Sequence, residues 1–247
     1  MTTVSEIIER PSPNKDERVA GRQVDHLILH YTGMQSAEAA VERLTDPEAR
    51  VSAHYTVAED GRIFRHVSEE ERAWHAGVSH WRGEADMNGA SIGIEIANPG
   101  HEFGYTAFPD AQMNSVTNLC KEVLSRHPIP ARNVIGHSDV APMRKMDPGE
   151  KFPWQQLAGE GVGLWPQADR SSDLQSLGPM TSSPAVRLLQ QDFEAYGYGL
   201  MVNGMYDAAT QAVVTAFQRH FRPLKVDGIA DAETQALLKS LLTLLDG

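Results

Sequence analysis

The sequence predicts an α/β domain followed by a separate, small three-helix domain. Short apolar segments typical of strands alternate with segments of helical periodicity over residues 20–158. Residues 159–183 are rich in Gly, Pro, Ser and Asp and have little periodicity, which is typical of a linker. Residues 184–247 contain an internal repeat. We therefore divide the chain into domains at 1–158 and 184–247, joined by a linker at 159–183.

The bulk composition is ordinary for a globular protein and excludes several functions. Of the 247 residues, 41% are hydrophobic and 22% are charged. The net charge of −11 and the absence of Lys/Arg runs argue against nucleic acid as a partner. No apolar segment approaches the roughly 20 residues of a membrane span. The single cysteine, Cys120, excludes an intramolecular disulfide and a cysteine-based zinc cluster.

The first predicted strand covers residues 24–31, V-D-H-L-I-L-H-Y. His30 lies at its end, where a ligand belongs if strand ends build the site. His26 lies deeper in the strand, where a packed or hydrogen-bonded histidine is the simpler interpretation. Ser36 then predicts the N-cap of a short helix over 36–44.

A β-hairpin and a polar segment follow. Residues 52–58 and 62–67, joined by E-D-G, predict the two arms of the hairpin. His54 lies in the first arm, which makes it a pocket or core residue. Residues 69–91 are polar and predicted to be mostly irregular. Their aromatic residues, Trp74 among them, predict either a binding wall or a loop pinned to the domain by its tryptophans.

A second informative strand is predicted over residues 91–98, S-I-G-I-E-I-A-N. Glu95 lies on one face between Gly93 and Ala97, which leaves space above its carboxylate. A charge in a central strand is costly unless it is paired, so Glu95 implies a cation or a function. An amphipathic helix is predicted next, over 109–127.

The highest density of chemically reactive side chains lies in residues 134–153. After a short apolar run, His137, Asp139, Lys145 and Asp147 occur within eleven positions. Interspersed prolines and a glycine predict a rigid loop rather than a helix. Such a loop after a strand is a common place for metal chemistry.

His30 and His137, with one carboxylate of that loop, match a common catalytic zinc set. Two imidazoles and a carboxylate leave one coordination position for water, whose pKa zinc lowers to about 7. Spacing alone does not choose between Asp139 and Asp147 as the third ligand. The residues therefore predict metal-assisted hydrolysis.

The last 60 or so residues predict three helices. N-G-M-Y-D-A-A-T-Q-A at 203–212 matches D-G-I-A-D-A-E-T-Q-A at 227–236, and each copy predicts a turn followed by an Asp-capped helix. A further helix is predicted from about 184 to 196. A core this small leaves little room for a buried active site, so binding is the expected role.

The first domain contains five motifs in order, which are H-Y-T (30–32), S-A-H-Y (52–55), W-H-A-G (74–77), S-I-G-I-E-I-A-N (91–98) and G-H-S-D-V-A-P-M-R-K-M-D-P-G (136–149). These motifs resemble those of zinc-dependent N-acetylmuramoyl-L-alanine amidases, a family that includes phage lysozyme-type amidases, anhydro-muropeptide amidases and peptidoglycan recognition proteins. The resemblance covers about residues 20–155. Residues 185–247 resemble the peptidoglycan-binding type 1 domain.

The resemblance implies a central mixed sheet with flanking helices and assigns roles to residues of this chain. His30, His137 and Asp147 correspond to the ligands of one Zn²⁺ per chain. Glu95 corresponds to the acid/base that handles the proton of the attacking water, and Lys145 to a cation that stabilises the oxyanion.

The implied substrate is peptidoglycan or a muropeptide, cut at the amide between the lactyl group of N-acetylmuramic acid and L-alanine. Asp139 is then expected to shape the loop by hydrogen bonding. The residues expected to bind substrate are Tyr31, His54, Trp74, His75, Ala76 and Asn98.

Three other functions use similar residues. A non-catalytic peptidoglycan recognition protein would have lost a ligand or Glu95, and none is lost. A zinc peptidase acting within the stem peptide differs only through the resemblance. A glycosidase would need two carboxylates flanking the bond and would leave the histidines without a role.

The expected compartment depends on two opposing signals. The first ten residues lack the features of a signal peptide, which favours the cytoplasm. A peptidoglycan-binding domain slightly favours the periplasm or cell envelope. The sequence carries no signal for the oligomeric state.

Overall fold

The computed structural model describes residues 7–167 and 174–245 and centres the first domain on a six-stranded mixed sheet. From edge to edge its strands are β1 (Ile7–Glu9), β5 (Ile63–Arg65), β4 (Tyr55–Val57), β7 (Ser91–Ile96), β3 (His26–Tyr31) and β8 (Val134–Gly136). Neighbours are parallel except β4 and β5, which form the predicted antiparallel hairpin. A separate antiparallel pair joins β2 (Lys15–Glu17) to β6 (Glu71–Ala73).

Six helices of the described residues belong to the first domain, and three others form the second domain. Those of the first domain are α1 (Ala37–Thr45), α2 (Met87–Ala90), α3 (Gly100–Phe103), α4 (Asp110–Arg126), α5 (His137–Val140) and α6 (Trp154–Gly159). Those of the second are α7 (Pro184–Tyr196), α8 (Ala208–Phe221) and α9 (Ala232–Leu245). Ser36 caps α1 by accepting a hydrogen bond from the Ala39 N–H, as predicted. The predicted fold class, a mixed sheet with flanking helices plus a small all-α unit, is confirmed.

The prediction of a loop rather than a helix after β8 was wrong for four residues. His137–Val140 form the single turn α5, because Asp139 accepts the Gly136 N–H at 2.8 Å and so caps the turn. Pro142 follows the turn and does not oppose it. The segment 69–91, predicted to be mostly irregular, contains β6 and α2.

One face of the main sheet packs against α4. The other face carries the side chains of His30 and Glu95. The α4 side is mostly apolar and includes Leu27, Leu29, Ile92, Ile94, Ile96, Val116, Leu119, Cys120 and Val123. Cys120 is buried in this core, and burial raises the pKa of its thiol to about 12.

A buried carboxylate ties α4 to the hairpin side of the domain. Glu69 is 8% exposed and accepts hydrogen bonds from Arg126 and His127 at the end of α4 and from the Tyr55 hydroxyl. Burial alone would raise the pKa of Glu69, but these donors lower it to about 2.

We expect Glu69→Gln to lower the free energy of unfolding at pH 7 by about 3 kcal/mol, the equivalent of the pKa shift. Because the folded-state pKa is depressed, this stabilisation is present above pH 5 and is lost as the pH falls towards 2. Urea titrations at several pH values should therefore show the wild type and variant converging in acid. Glu122→Gln removes a surface partner of Arg126 and should change stability by under about 0.5 kcal/mol. If the free energies of unfolding of the wild type and Glu69→Gln differed by the same amount at every pH, the depressed pKa of Glu69 would be contradicted.

Each copy of the C-terminal repeat is held by a buried glutamine from the preceding helix. Gln190 accepts the N–H of Gly204 at 2.8 Å, and Gln218 accepts that of Gly228 at 2.8 Å. Gln190 and Gln218 are fully buried. Each side-chain amide therefore pairs with backbone N–H groups of the turn that water cannot reach. The predicted Asp caps are present at both following helices.

Part of the predicted linker lies outside the described residues, namely 168–173, as do 1–6 and 246–247 at the ends of the predicted domains. Within the described part of 159–183, Leu177 exchanges backbone hydrogen bonds with Ala230. No helix in the described ranges is long and apolar enough to cross a membrane.

Candidate metal centre and active site

Three adjacent parallel strands end at one edge of the sheet, and each delivers a polar side chain there. His30 and Glu95 are paired in register between β3 and β7, and His137 comes directly after β8. The carboxyl ends of parallel strands are where open α/β sheets build their sites. Strand register therefore brings together side chains that are far apart in the sequence.

His30, His137 and Asp147 converge on one point. The two Nδ1 atoms are 2.9 Å apart, and Asp147 Oδ2 lies 3.1 Å from His30 Nδ1 and 3.0 Å from His137 Nδ1. All three residues are buried, and they form a group that could hold a metal ion. Tetrahedral zinc with ligands at 2.0–2.1 Å spaces them about 3.3 Å apart, so this donor set fits zinc with a small outward adjustment.

The Nε2 atoms of the two imidazoles contact other groups, so each ring directs its Nδ1 atom towards the converging cluster. His137 Nε2 donates to the Ala76 carbonyl at 3.0 Å. His30 Nε2 faces His75 Nδ1 at 3.0 Å, and His75 Nε2 faces Ser91 Oγ at 3.3 Å. Partners of this kind fix the tautomer and ring orientation of metal-binding histidines.

Burial and neighbouring groups shift the pKa values of His30, His75 and Asp147. Burial, followed by the neighbouring His137, lowers the pKa of His30 to about 4. Burial and His30 hold the pKa of His75 well below its usual range. Burial alone would raise the pKa of Asp147, but the two imidazoles lower it below its usual range. Neutral imidazole and ionised carboxylate are the forms that bind metal.

Asp147 reaches the histidines because its segment folds back onto α5. The Ser138 N–H donates to the Asp147 carbonyl at 2.8 Å. Asp139, the alternative ligand by spacing, points away from His30 and His137 and bonds to residues of the C-terminal domain. The fold-back distinguishes the two aspartates, and sequence spacing does not encode it.

Glu95 and Lys145 carry side chains of opposite charge type and line the same cavity. Glu95 Oε2 is buried and has no hydrogen-bond partner among the described residues. Burial, with the nearby Asp147 carboxylate, raises the pKa of Glu95 well above its usual range, and Lys145 opposes this shift. Burying a carboxylate without a partner costs free energy of folding. Such an environment is typical of a residue that exchanges protons with a ligand.

The cavity above the cluster has a volume of about 380 Å³, and only some of the predicted substrate residues line it. Tyr31, Trp74 and His75 do so. Sequence reasoning missed other lining residues, which are Thr32, Arg43, Ser52, His101, Glu102 and Arg144. His101 accepts or donates a hydrogen bond at 2.9 Å with the Tyr31 hydroxyl, and no sequence motif marks it.

The other three predicted substrate residues lie outside the lining of this cavity. His54 is fully buried, and its Nδ1 accepts the Gly93 N–H at 2.9 Å. Ala76 contributes its carbonyl to His137 rather than its side chain to the cavity. The Asn98 side chain bonds to Thr106 and Gly100 and shapes the adjacent loop.

Two protein families match the two parts of the chain. Residues 20–150 match the N-acetylmuramoyl-L-alanine amidase family, and residues 182–238 match a peptidoglycan binding domain family.

Curated relatives include amidases of Escherichia coli and Citrobacter freundii. The N-acetylmuramoyl-L-alanine amidase AmiD of E. coli K12 is 38% identical over 234 residues, covering 88% of this chain and 83% of that protein. The 1,6-anhydro-N-acetylmuramyl-L-alanine amidase AmpD of C. freundii is 34% identical over 164 residues, covering 60% of this chain and 86% of that protein.

Two solved structures with bound ligands are similar over nearly the whole chain. The complex of E. coli AmiD with anhydro-N-acetylmuramic acid-L-Ala-D-γ-Glu-L-Lys has a TM-score of 0.79 at 36% identity, covering 92% of this chain and 93% of the chain in that structure. AmpDh3 of Pseudomonas aeruginosa with anhydromuramic pentapeptide has a TM-score of 0.77 at 33% identity, covering 99% of each chain.

Proposed function

We propose that this chain, which belongs to the N-acetylmuramoyl-L-alanine amidase family, holds one zinc ion between His30, His137 and Asp147. It is an enzyme of cell-wall turnover that hydrolyses the amide between the lactyl group of N-acetylmuramic acid and L-alanine. The observation that carries the zinc proposal is the convergence of two imidazoles and one carboxylate beside the buried Glu95, whose Oε2 has no hydrogen-bond partner among the described residues.

Each residue around the cavity has a separate task in this reaction. Bound zinc supplies a Lewis acid that lowers the pKa of water and polarises the amide carbonyl. Glu95 accepts the proton of the attacking water and returns it to the departing L-alanine amine, which requires a pKa close to the working pH. Lys145 places a positive charge where the carbonyl oxygen becomes negative.

We expect Lys145→Ala to lower kcat about 10²-fold and to leave zinc content unchanged, because oxyanion stabilisation acts in the transition state. Steady-state kinetics on a defined muropeptide and metal analysis measure the two quantities. Lys121→Ala removes a surface lysine that pairs with Glu160, the C-cap residue of α6, and serves as the matched control. A kcat equal to that of the control would remove Lys145 from the mechanism.

The substrate class follows from the ligands of the similar structures. Both structures contain anhydromuramic acid with a stem peptide, so we propose that this chain accepts soluble 1,6-anhydro-muropeptides as well as polymer. Tyr31, Trp74 and His75 would contact the substrate from the cavity wall. Comparing kcat/KM for an anhydro-muropeptide and for intact sacculi tests this proposal, and exclusive action on sacculi would contradict it.

We propose that residues 1–158 form the catalytic domain, 159–183 the connection and 184–247 a peptidoglycan-binding domain. Action on peptidoglycan relates the protein to the cell envelope, and we propose the periplasm or cell envelope rather than the cytoplasm as its compartment. Fractionation of cells that produce the natural protein, with cytoplasmic and periplasmic marker enzymes, decides between these compartments.

A further inference from the structure

The C-terminal domain and the catalytic domain share a continuous aromatic interface. Trp81 is fully buried and packs edge-on against Tyr196 and Tyr198, at ring-centroid distances of 5.7 and 4.9 Å. His220 of α8 stacks on Trp154 at 3.7 Å. Buried residues of both domains belong to one hydrophobic cluster. The C-terminal helices are therefore packed onto the catalytic domain as well as linked to it.

Asp139 lies at the centre of this interface and bonds mainly to the C-terminal domain. It is 1% exposed. The Tyr198 hydroxyl donates to Oδ1 at 2.7 Å, and His220 Nδ1 donates to Oδ2 at 2.7 Å. The Gly136 N–H donates to Oδ2 at 2.8 Å. A buried carboxylate without such donors would be strongly destabilising. Because two of the three donors come from the C-terminal domain, that domain supplies most of the stabilisation of Asp139.

Asp139 belongs to the turn that presents the proposed metal ligands. Its bond to Gly136 closes α5, which starts at His137. The Ser138 N–H in the same turn holds the carbonyl of Asp147. Two of the three converging side chains are thus fixed by a turn whose rear side is anchored to α8 and to Tyr198.

A second connection runs from α8 to the cavity wall. Arg219 lies 3.7 Å from the carboxylate of Glu150, and Glu150 lies 3.2 Å from His101 Nε2. His101 Nδ1 is 2.9 Å from the Tyr31 hydroxyl. Tyr31 and His101 line the cavity, so neighbouring residues of one C-terminal helix support both the metal side and the wall side of the site.

We propose that His220 and Tyr198 of the C-terminal domain are positioning residues for the catalytic centre, acting through Asp139. The domain then has a function besides binding polymer: it holds the α5 turn in the geometry that places His137 and Asp147. This inference rests on the proposed function. It differs from a recruitment role because it predicts effects on a small soluble substrate, for which recruitment to polymer has no value.

The test uses His220→Phe and Tyr198→Phe in the full chain. Phenylalanine keeps an aromatic ring in each position and removes only the donor to Asp139. We expect each variant to bind zinc about tenfold more weakly in competition with a chromophoric chelator, the scale seen when groups orienting metal ligands are removed. We also expect kcat on a soluble anhydro-muropeptide to fall about tenfold at saturating zinc, with KM little changed.

Two further variants separate positioning from loss of stability. Tyr206 is buried in the same domain and its hydroxyl donates to Gly228 within that domain. Tyr206→Phe removes a comparable hydrogen bond and should leave zinc affinity and kcat at wild-type values even where the melting temperature falls. His220→Asn restores an N–H donor near the position of Nδ1 and should recover much of the zinc affinity lost in His220→Phe.

The outcomes separate this proposal from the proposed function. Zinc affinity and kcat equal to those of Tyr206→Phe in both donor variants would overturn the positioning role. A wild-type protein that binds zinc but cleaves no muropeptide would overturn the amidase mechanism, and the zinc titrations of the variants would still decide the positioning role.

Discussion

Replacing Glu95 by glutamine is expected to lower kcat about 10³-fold while one zinc per chain is retained. General acid–base catalysis contributes about 10²–10⁴-fold, and glutamine keeps the shape of the side chain but cannot carry the proton. Glu95 has an unpaired buried oxygen, and burial raises its pKa well above the usual range. Because Glu95 is not among the three converging ligands, its amide should leave metal binding intact.

Glu102 provides the matched control for this variant, because its carboxylate lines the same cavity but is exposed. Glu102→Gln should change kcat by less than about threefold, the range of an ordinary surface carboxylate. Steady-state kinetics and metal analysis on both variants give the comparison. Full turnover by Glu95→Gln would remove this residue from the mechanism.

His137→Ala is expected to abolish stoichiometric zinc binding and to lower activity by about 10⁴-fold or more, since the reaction depends on the Lewis acid. The variant removes one Nδ1 ligand and also leaves the Ala76 carbonyl without the His137 donor. Metal analysis after dialysis and product detection by mass spectrometry measure both effects.

His66→Ala controls for the loss of a buried imidazole elsewhere. His66 is 3% exposed and bonds to the Arg10 carbonyl and to Thr56, away from the cavity. We expect this variant to lose stability but to keep one zinc and normal kcat. Zinc retained at full stoichiometry in His137→Ala would show that the ion binds elsewhere.

Local patterns predict most elements of the fold because their causes are local. Ser36 caps α1 through a bond within its own turn, and the E-D-G turn closes the β4–β5 hairpin. Alternation along residues 91–98 distinguishes the apolar isoleucines from Glu95. The repeat at 203–212 and 227–236 predicts α8 and α9 for the same reason.

Other features depend on contacts between distant segments and leave no local trace. The bonds from Tyr198 and His220 to Asp139 span 59 and 81 residues, so the sequence predicts Asp139 only as a loop-shaping residue. The one-turn helix α5 depends on the same aspartate. The sequence leaves open whether His54 lines a pocket or the core, and its bond to the Gly93 N–H on the neighbouring strand accompanies the core position.

The substrate residues were the least predictable part of the site. Ala76 acts through its carbonyl, whose partner is His137, and motif spacing carries no information about backbone atoms. His101 reaches the cavity through α3, a short helix that no periodicity predicts. Motifs identify the reacting groups better than they identify the residues that line the cavity. A lining residue needs only to lie close to the substrate, and many residue types can do so.

The central claim is zinc-dependent cleavage at the lactyl–L-alanine amide, and mass spectrometry of the products tests it most directly. The zinc-loaded protein is incubated with a defined anhydro-muropeptide, with and without a chelator. We expect the intact stem peptide with a free L-alanine amine, no product in the chelator, and recovery when zinc is restored. Cleavage within the stem peptide, new reducing ends, or full activity in the chelator would contradict the account.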